Sequence, residues 1–274
     1  MNSEQNIAAV PWGVRGSFPM TGYCFGEFGG NTSCLSLNFG SDLLIFDAGS
    51  GIIRLGSTLD GSQKIDRIHI LLSHLHLDHI QGLMGFAPLY ESNAQIYLYG
   101  ANRNGREFKE ILSAVISPPY WPVGIKDLKK KVVVLGFDPG DSFNVSDEIS
   151  VKTAESNHPN GCAMYRVQKG NTSVAYSLDC EYTEEFAAVI EDFARNCSLL
   201  VWDSNFTEDD LKPGWGHSTW RQGVLIAKRA GARKVLMTHY NQNYTDDFLK
   251  EQEIIASNEF PVCLFAREGE AIHL

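Results

Sequence analysis

Short apolar segments rich in β-branched residues alternate with amphipathic segments along most of the chain. The first two, at 33–39 and 42–46, are separated by Gly40 and Ser41, which predicts a β-hairpin. Further strands are predicted at 67–72, 95–99, 149–153, 163–168, 173–177, 199–202, 234–237 and 262–265. Helices are predicted at 52–59, from about Ile80, and at 104–115, 184–195, 219–230 and 246–257. Strands flanked by helices in both halves indicate an α/β protein.

Residues 116–130 interrupt this pattern and have no apolar period. Their sequence, ISPPYWPVGIKDLKK, combines prolines with two large aromatic side chains, Tyr120 and Trp121. Irregular segments of this length inside a compact domain are commonly functional. We therefore expect a loop that covers a pocket.

Composition and charge narrow the class of protein. The 274 residues are 43% hydrophobic and 20% charged, without a linker or low-complexity segment, so a single domain over 1–274 is expected. The net charge of −10 repels a nucleic-acid backbone, and the dense lysine run at 129–131 beside Lys126 is typical of a solvated face. We expect a small-molecule substrate, not a long nucleic acid. A small anion remains compatible, because bound divalent metals would reverse the charge locally.

Targeting signals and cysteine usage point to the cytoplasm. The N-terminal segment has no basic start followed by an apolar run, and no apolar stretch is long enough to span a membrane. The six cysteines are scattered and form no CxxC pair, so reduced thiols are expected. The oligomeric state is left open, with a homodimer among the alternatives.

Three of the eight histidines fall within the six residues 74–79, just after the predicted strand at 67–72. His74 and His76 are two residues apart at a strand end, so their side chains share one side and can bind one cation. Asp78 and His79 come where the chain turns into a helix, which can direct them at a second cation. Imidazole and carboxylate ligands suit zinc or another first-row divalent metal.

With this HxHxDH motif the chain resembles the metallo-β-lactamase superfamily over nearly its whole length. The resemblance implies a four-layer αββα sandwich in which later strand ends supply three further ligands in a fixed order. His158, Asp179 and His239 match those positions, with Asp179 as the carboxylate shared by both metals. Asp47, in the segment FDAGSG, matches a residue that supports the ligands from behind. The implied metal ligands are His74, His76, Asp78, His79, His158, Asp179 and His239.

A second motif resembles the phosphodiesterase branch of that superfamily, particularly the tRNA 3′-processing endonucleases. In that branch an acidic residue and a His-Ser-Thr segment place a histidine that binds no metal at the leaving group, which Asp203 and His217 match. A carboxylate raises the pKa of an imidazole and orients it as a proton donor. The alternative is that Ser218 or Thr219 caps the next helix, and both can hold at once. The segment at 29–33 is also similar, and contact of Asn31, Thr32, Asn241 or Tyr244 with substrate stays open.

Two departures from the tRNA-processing enzymes affect the expected substrate. Only 20 residues separate His158 from Asp179, which leaves no room for the long arm of those enzymes. The sequence HYNQNY at 239–244 also lacks the serine and arginine that tend to follow the last histidine there. We therefore expect a small phosphodiester, such as a cyclic nucleotide or a cyclic sugar phosphate.

The resemblance implies hydrolysis by a hydroxide held between two divalent ions, zinc or else manganese or iron. Asp78, Asp203 and His217 are the expected catalytic residues, with His217 protonating the departing oxygen. Thioester or lactone hydrolysis is the main alternative, although a leaving thiolate needs little protonation. Di-iron redox relatives normally carry a carboxylate at the position of His76, so the histidine here argues against oxygen chemistry. A sensing module without turnover is the alternative from another class, and it would be supported by lost ligands.

Overall fold

The computed structural model describes residues 7–59, 64–128 and 132–274. Within these ranges fourteen strands form two seven-stranded sheets. The first contains, in spatial order, β14 (Ile272–His273), β1 (Ala8–Gly13), β2 (Cys34–Asn38), β3 (Asp42–Phe46), β4 (Arg67–Leu71), β5 (Gln95–Ala101) and β6 (Val132–Phe137). The second contains β13 (Cys263–Phe265), β12 (Val235–Thr238), β11 (Leu199–Asp203), β10 (Thr172–Ser177), β9 (Cys162–Lys169), β8 (Ile149–Ser156) and β7 (Ser142–Ser146).

Helices cover the outer face of each sheet. They are α1 (Gly51–Thr58), α2 (Leu77–Ile80), α3 (Pro88–Glu91), α4 (Phe108–Val115), α5 (Glu184–Phe193), α6 (Trp220–Ala230) and α7 (Asp246–Glu259). Helices α1 and α4 contact the first sheet, and α6 and α7 contact the second. The predicted αββα sandwich is confirmed. None of the described helices combines the length and apolarity needed to cross a bilayer.

Strand β3 shows how the sequence builds two cores. All five of its residues are buried, and their side chains alternate between the faces of the sheet. Leu44 and Phe46 join the cluster between the two sheets, where the Phe46 ring stacks on Tyr176 of the second sheet at 4.7 Å. Leu43 and Ile45 join a separate cluster with residues of α1 and α4. The continuous apolar run is therefore that of a strand buried on both faces.

The strand directions bring several chain segments to one edge of the sandwich. Strands β3 and β4 are parallel, as are β10, β11 and β12. Strand β8 is antiparallel to β9, which is antiparallel to β10, so β8 runs in the direction of β10. The residues that follow all six strands can thus meet at their carboxyl ends, the usual place for a site in α/β proteins.

The sequence-based predictions differ from the structure in a few elements. The helix expected from about Ile80 is wrong, because α2 ends there and a 3-10 turn (Leu83–Gly85) and α3 follow. The helix predicted at 104–115 begins only at Phe108, after a tight turn. Strands β1, β6, β7 and β14 were not predicted. Pro11 obscures β1, whereas the apolar run of β6 (VVVLGF) and the alternation of β7 (SFNVS) are strand signals that the prediction did not use.

Two predicted segments are only partly described. The lysine run at 129–131 and the first six residues lie outside the described residues. From 116 to 128 the loop forms turns and one 3-10 helix (Ile125–Asp127), and it lines an apolar groove with Leu77, Ile80 and Met84. All six cysteines are free thiols.

Candidate metal centre

All seven predicted ligands gather where the two sheets meet at their carboxyl edge. They form overlapping groups whose donor atoms lie within 4.8 Å of one another. Each residue follows the end of a strand or lies in the short helix α2. The candidate ligands are His74 and His76 after β4, Asp78 and His79 in α2, His158 after β8, Asp179 after β10 and His239 after β12.

The first group of donors consists of His74, His76, His158 and one oxygen of Asp179. Asp179 Oδ2 lies 3.6 Å from His74 Nε2 and 3.7 Å from His158 Nε2. His158 Nε2 is 3.3 Å from His76 Nδ1. His76 is exposed, whereas His74 and Asp179 are buried, so this group is open to solvent on one side.

The second group consists of Asp78, His79, His239 and the other oxygen of Asp179. Asp179 Oδ1 lies 3.3 Å from His79 Nε2 and 3.2 Å from His239 Nε2. Asp78 Oδ2 lies 3.4 Å from His79 Nε2 and 3.3 Å from His239 Nε2. The two carboxylate oxygens of Asp179 therefore face different groups of donors.

These donor atoms fit divalent cations. Tetrahedral ligands at 2.0–2.1 Å from a zinc ion are about 3.4 Å apart, close to the separations within both groups. His74 Nε2 and Asp179 Oδ1 are buried, and the described residues give them no hydrogen-bond partner. No lysine or arginine in the described ranges pairs with Asp78 or Asp179. Buried carboxylates without a basic partner are expected at metal ligands.

Asp47 supports the ligands from beneath, as the resemblance implies. It is fully buried and lies 2.8 Å from Nδ1 of His79. It also accepts hydrogen bonds from the backbone and hydroxyl of Ser73 and from the hydroxyl of Tyr176. Because Nδ1 of His79 is hydrogen-bonded to Asp47, the lone pair on Nε2 is available to a metal ion. Carboxylates commonly orient metal-binding histidines in this way. Sequence reasoning missed Ser73 and Tyr176, although both are polar groups at strands that lead into the motif.

Backbone groups hold two other ligands in place. His158 Nδ1 donates to the Gly216 carbonyl at 2.9 Å, and the carboxylate of Glu181 accepts from the backbone N–H groups of Gly214 and Gly216. Asp78 Oδ2 accepts from the backbone N–H of Ser17 at 2.8 Å. The glycine- and serine-containing segment near the N-terminus therefore contacts the centre through its backbone, which side-chain patterns do not reveal.

Three residues of the centre adopt left-handed backbone conformations. The φ angles are 58° for Asp47, 48° for Asp179 and 60° for His239. Aspartate and histidine enter this region rarely outside turns, and such conformations concentrate at functional sites. Asp47 and His239 follow directly on β3 and β12, and Asp179 follows β10 after one residue, so the conformation turns the chain sharply where each side chain joins the site.

The histidines of the site differ in the direction of their pKa shifts. Burial and the neighbouring His79 hold the pKa of His74 well below its usual range, and burial lowers the pKa of His158. Neutral imidazoles of this kind are ready to bind a metal. Burial also acts to lower the pKa of His239, but Asp179, Asp203 and Asp78 outweigh it and raise the pKa to about 10. The same negative potential attracts a divalent cation.

Asp203 and His217 form the predicted pair beside these ligands. Asp203 Oδ2 lies 2.7 Å from His217 Nδ1, and Asp203 is fully buried. The His217 ring lies 5.3 Å from His158 and 5.2 Å from His239, between centroids. Burial acts to lower the pKa of His217, but the Asp203 carboxylate dominates and the pKa is raised. Asp203 also accepts from the backbone N–H groups of Asn205 and Cys180, which fixes its orientation.

The predicted helix cap next to this pair is also present. The Thr219 side chain accepts from the backbone N–H of Gln222, whose side chain accepts from Thr219 in return. The Ser218 hydroxyl instead donates to the Cys180 carbonyl. The capping interpretation and the placement of His217 beside the ligands therefore hold together.

The four residues for which the sequence leaves substrate contact open all form hydrogen bonds within the protein. Asn31 donates to Glu268, and Thr32 accepts from the backbone N–H of Ser50. Tyr244 donates to Asp210, and Asn241 donates to Asn205 at 3.4 Å. Thr32 is fully buried, which suits a structural role.

Comparisons with known proteins agree with the geometry. Residues 44–240 match the family described as "Beta-lactamase superfamily domain". The chain is 24% identical to the probable metallo-hydrolase YhfI of Bacillus subtilis (strain 168), covering 86% of this chain and 92% of that protein. Ribonuclease Z of Methanosarcina acetivorans is also 24% identical, covering 83% of this chain and 88% of that protein.

Solved structures share the fold. The crystal structure of YhfI superposes with a TM-score of 0.75 at 21% identity, covering 98% of this chain and 100% of that chain. Zn(2+)-bound PqqB from Methylobacterium extorquens superposes with a TM-score of 0.73 at 16% identity, covering 97% and 100%.

Replacing Asp47 tests how the ligands are supported. Asp47→Asn should weaken zinc binding at the group containing His79 by roughly tenfold to a hundredfold, the usual effect of losing a carboxylate behind a ligating histidine. Binding at the group of His74, His76 and His158 should change little. A zinc titration against a competing chromophoric chelator measures both affinities.

Asp42→Asn is the matched control, because Asp42 is a buried carboxylate on the same strand that pairs with Arg67 and His69, away from the ligands. Zinc affinities that fall equally in the Asp42 and Asp47 variants would contradict a specific role for Asp47.

Proposed function

Because the chain belongs to the beta-lactamase superfamily, we propose that this metal-dependent hydrolase cleaves small phosphodiesters with two divalent ions bound by its seven clustered ligands. His74, His76 and His158 would hold one ion and Asp78, His79 and His239 the other, with Asp179 shared between them. Asp78, expected from the sequence to be catalytic, would act as a ligand. Zinc suits the donor set, and manganese or iron would also be accepted.

The observation that carries this proposal is the Asp203–His217 pair. His217 is held through Nδ1 by a buried carboxylate and lies against candidate ligand histidines of both groups. Asp203 and His217 also have donor atoms within 4.8 Å of Asp179 and His239, and we propose that the seven ligands named above hold the ions and leave His217 for proton transfer. Among the described residues, Nε2 of His217 has no hydrogen-bond partner, and the side chain is 13% exposed. A histidine so placed is a proton donor to a leaving group, which an alkoxide requires and a thiolate does not.

The chemistry divides between the ions and the side chains. When bound, two divalent ions supply a water-derived nucleophile at neutral pH and stabilise charge on the phosphoryl oxygens. Asp203 fixes the His217 ring with Nε2 free and favours its protonated form. His217 then gives that proton to the departing oxygen. Asp47, Gly216 and Ser17 keep the ligands oriented before substrate arrives.

The size of the substrate follows from the surroundings of the site. The segment between His158 and Asp179 contains only the hairpin of β9 and β10, without a protruding arm. The net charge is −10, which disfavours a polyanion. Because ribonuclease Z proteins are among the relatives, an RNA substrate is included in the experiment below. We propose small phosphodiesters as the preferred substrate class.

A substrate panel tests this choice. The purified zinc- or manganese-loaded protein should hydrolyse bis(4-nitrophenyl) phosphate and cyclic nucleotides faster than thioesters or lactones, and precursor tRNA should be a poor substrate. Initial rates under one buffer condition decide the order. Efficient precursor tRNA cleavage with a steep salt dependence would overturn the small-substrate proposal, and a preference for thioesters or lactones would overturn the phosphodiesterase proposal.

The role of His217 predicts a dependence on the leaving group. His217→Ala should cost little with bis(4-nitrophenyl) phosphate, because nitrophenolate leaves without a proton. With a cyclic nucleotide, whose alkoxide needs one, kcat should fall by about 10²–10⁴-fold. Metal content measured by atomic emission should not change, since His217 is not proposed as a ligand.

His273→Ala is the matched control, because His273 is exposed on the edge strand β14. If His217→Ala slows both substrates by the same factor, or removes metal, the proton-donor assignment is wrong.

A further inference from the structure

A cavity of about 270 Å³ opens beside the first group of donors. Its lining includes His74 and His76, and also Arg103 and Arg106 from the segment after β5. Apolar side chains, among them Phe108, line the space between them. The cavity therefore joins the proposed metal centre to a pair of cationic side chains, which the predicted mechanism does not use.

Two tight turns frame this cavity. Arg103 and Arg106 exchange backbone hydrogen bonds across a turn whose central residues, Asn104 and Gly105, both have positive φ. On the facing side, the Gly161 N–H donates to the carbonyl of the ligand His158. Tight turns of this kind restrict the backbone, so the turn fixes the positions from which the two arginine side chains extend.

Gly161 leaves room for the guanidinium of Arg103. A Cβ at this position would lie only 2.8 Å from Arg103 Cζ, and the φ of 86° also disfavours other residues. The turn that presents His158 is thus packed directly against the arginine. The guanidinium and the first group of donors are held in one rigid arrangement.

Arg103 uses only part of its donor capacity. Nη1 donates to Glu155 Oε2 at 2.6 Å, and the Glu155 side chain is 46% exposed. Nη2 is buried, and nothing in the described part of the chain accepts a hydrogen bond from it. A buried charged donor without an acceptor is costly, and a planar guanidinium is suited to bind a carboxylate or phosphate in two-point fashion.

We propose that this cavity binds a second anionic group, a carboxylate or a phosphate, carried on an apolar arm of the substrate, with Arg103 as its partner. The inference rests on the proposed phosphodiesterase function and names its substrate class. The scissile phosphate would lie at the candidate metal ligands, the carbon skeleton of the arm would pack on the half-buried Leu75 and Ile111, and the second anion would bind the partly exposed guanidinium of Arg103, drawing the unpaired Nη2 toward it. Glu155 competes with that anion for the guanidinium.

Matched substrates test the pocket. 4-Nitrophenyl phenyl phosphate is compared with analogues whose phenyl ring carries a carboxylate or a phosphate, and all three release nitrophenolate. Arg103→Gln should raise KM about tenfold to a hundredfold for both charged substrates, the value of a hydrogen bond to a charged group. For the uncharged substrate KM should stay within about twofold, and kcat should be unchanged for all three. Comparing carboxylate with phosphate identifies the preferred anion.

Glu155→Gln distinguishes binding from a structural role. Removing the competing carboxylate frees the guanidinium, so KM for the charged substrates should fall, in the direction opposite to Arg103→Gln. If Arg103 only supports the fold through this ion pair, both variants should behave alike. Arg195→Gln is the control, since Arg195 is exposed and pairs with Asp192 outside this cavity.

A binding measurement separates this inference from the proposed function. Calorimetry on the zinc-loaded protein compares diphenylphosphinate, an anionic analogue that has no ester bond to hydrolyse, with (4-carboxyphenyl)phenylphosphinate. Tighter binding of the carboxylate that is lost in Arg103→Gln supports the pocket even if no diester is hydrolysed. Equal affinity of the two analogues, or no effect of Arg103→Gln, overturns the pocket even if diesters are hydrolysed.

Discussion

The buried carboxylate of Asp179 sets the main constraint on this structure. Its two oxygens face two groups of imidazole and carboxylate donors, and Asp47, Asp78 and Asp203 add further negative charge at the same edge. Burial keeps the His74 and His158 imidazoles neutral, so without ions only His79 and His239, whose pKa values these carboxylates raise, offset part of the charge. Positively charged ions between the donor groups would offset the rest, and a rigid scaffold is needed to keep the carboxylates together without them.

The sandwich supplies that scaffold through ordinary packing. The apolar alternation of β3 ties the first sheet to the second on one face and to the helices on the other. Its last residue, Phe46, stacks on Tyr176, and the next residue, Asp47, accepts a hydrogen bond from the same tyrosine. Tyr176 thus links the core between the sheets to Asp47, the carboxylate that is hydrogen-bonded to His79. The same edge carries the proposed metal ligands, the proposed proton donor His217 and the cavity lined in part by Arg103 and Arg106.

The sequence was sufficient to predict which candidate ligands lie together, but it did not reveal the groups that hold those ligands in place. HxHxDH has a spacing with a chemical meaning, and the later ligands follow predicted strands, so all seven could be named and are found together. Ser17, Gly216 and Glu181 act through backbone groups, which carry no signature in a single sequence. Arg103 lies near the site only because β4 and β5 are adjacent and parallel. Short elements such as α2 and β14 are decided by tertiary packing and were mispredicted or missed.

Anomalous diffraction from crystals of the manganese- or zinc-loaded protein tests the central claim most directly. Data collected on either side of the metal absorption edge locate each ion independently of the protein coordinates. We predict two peaks, one bound by His74, His76 and His158 and the other by Asp78, His79 and His239, with an Asp179 oxygen bound to each. A single peak at full metal saturation, or a second peak away from these side chains, would contradict the two-metal centre.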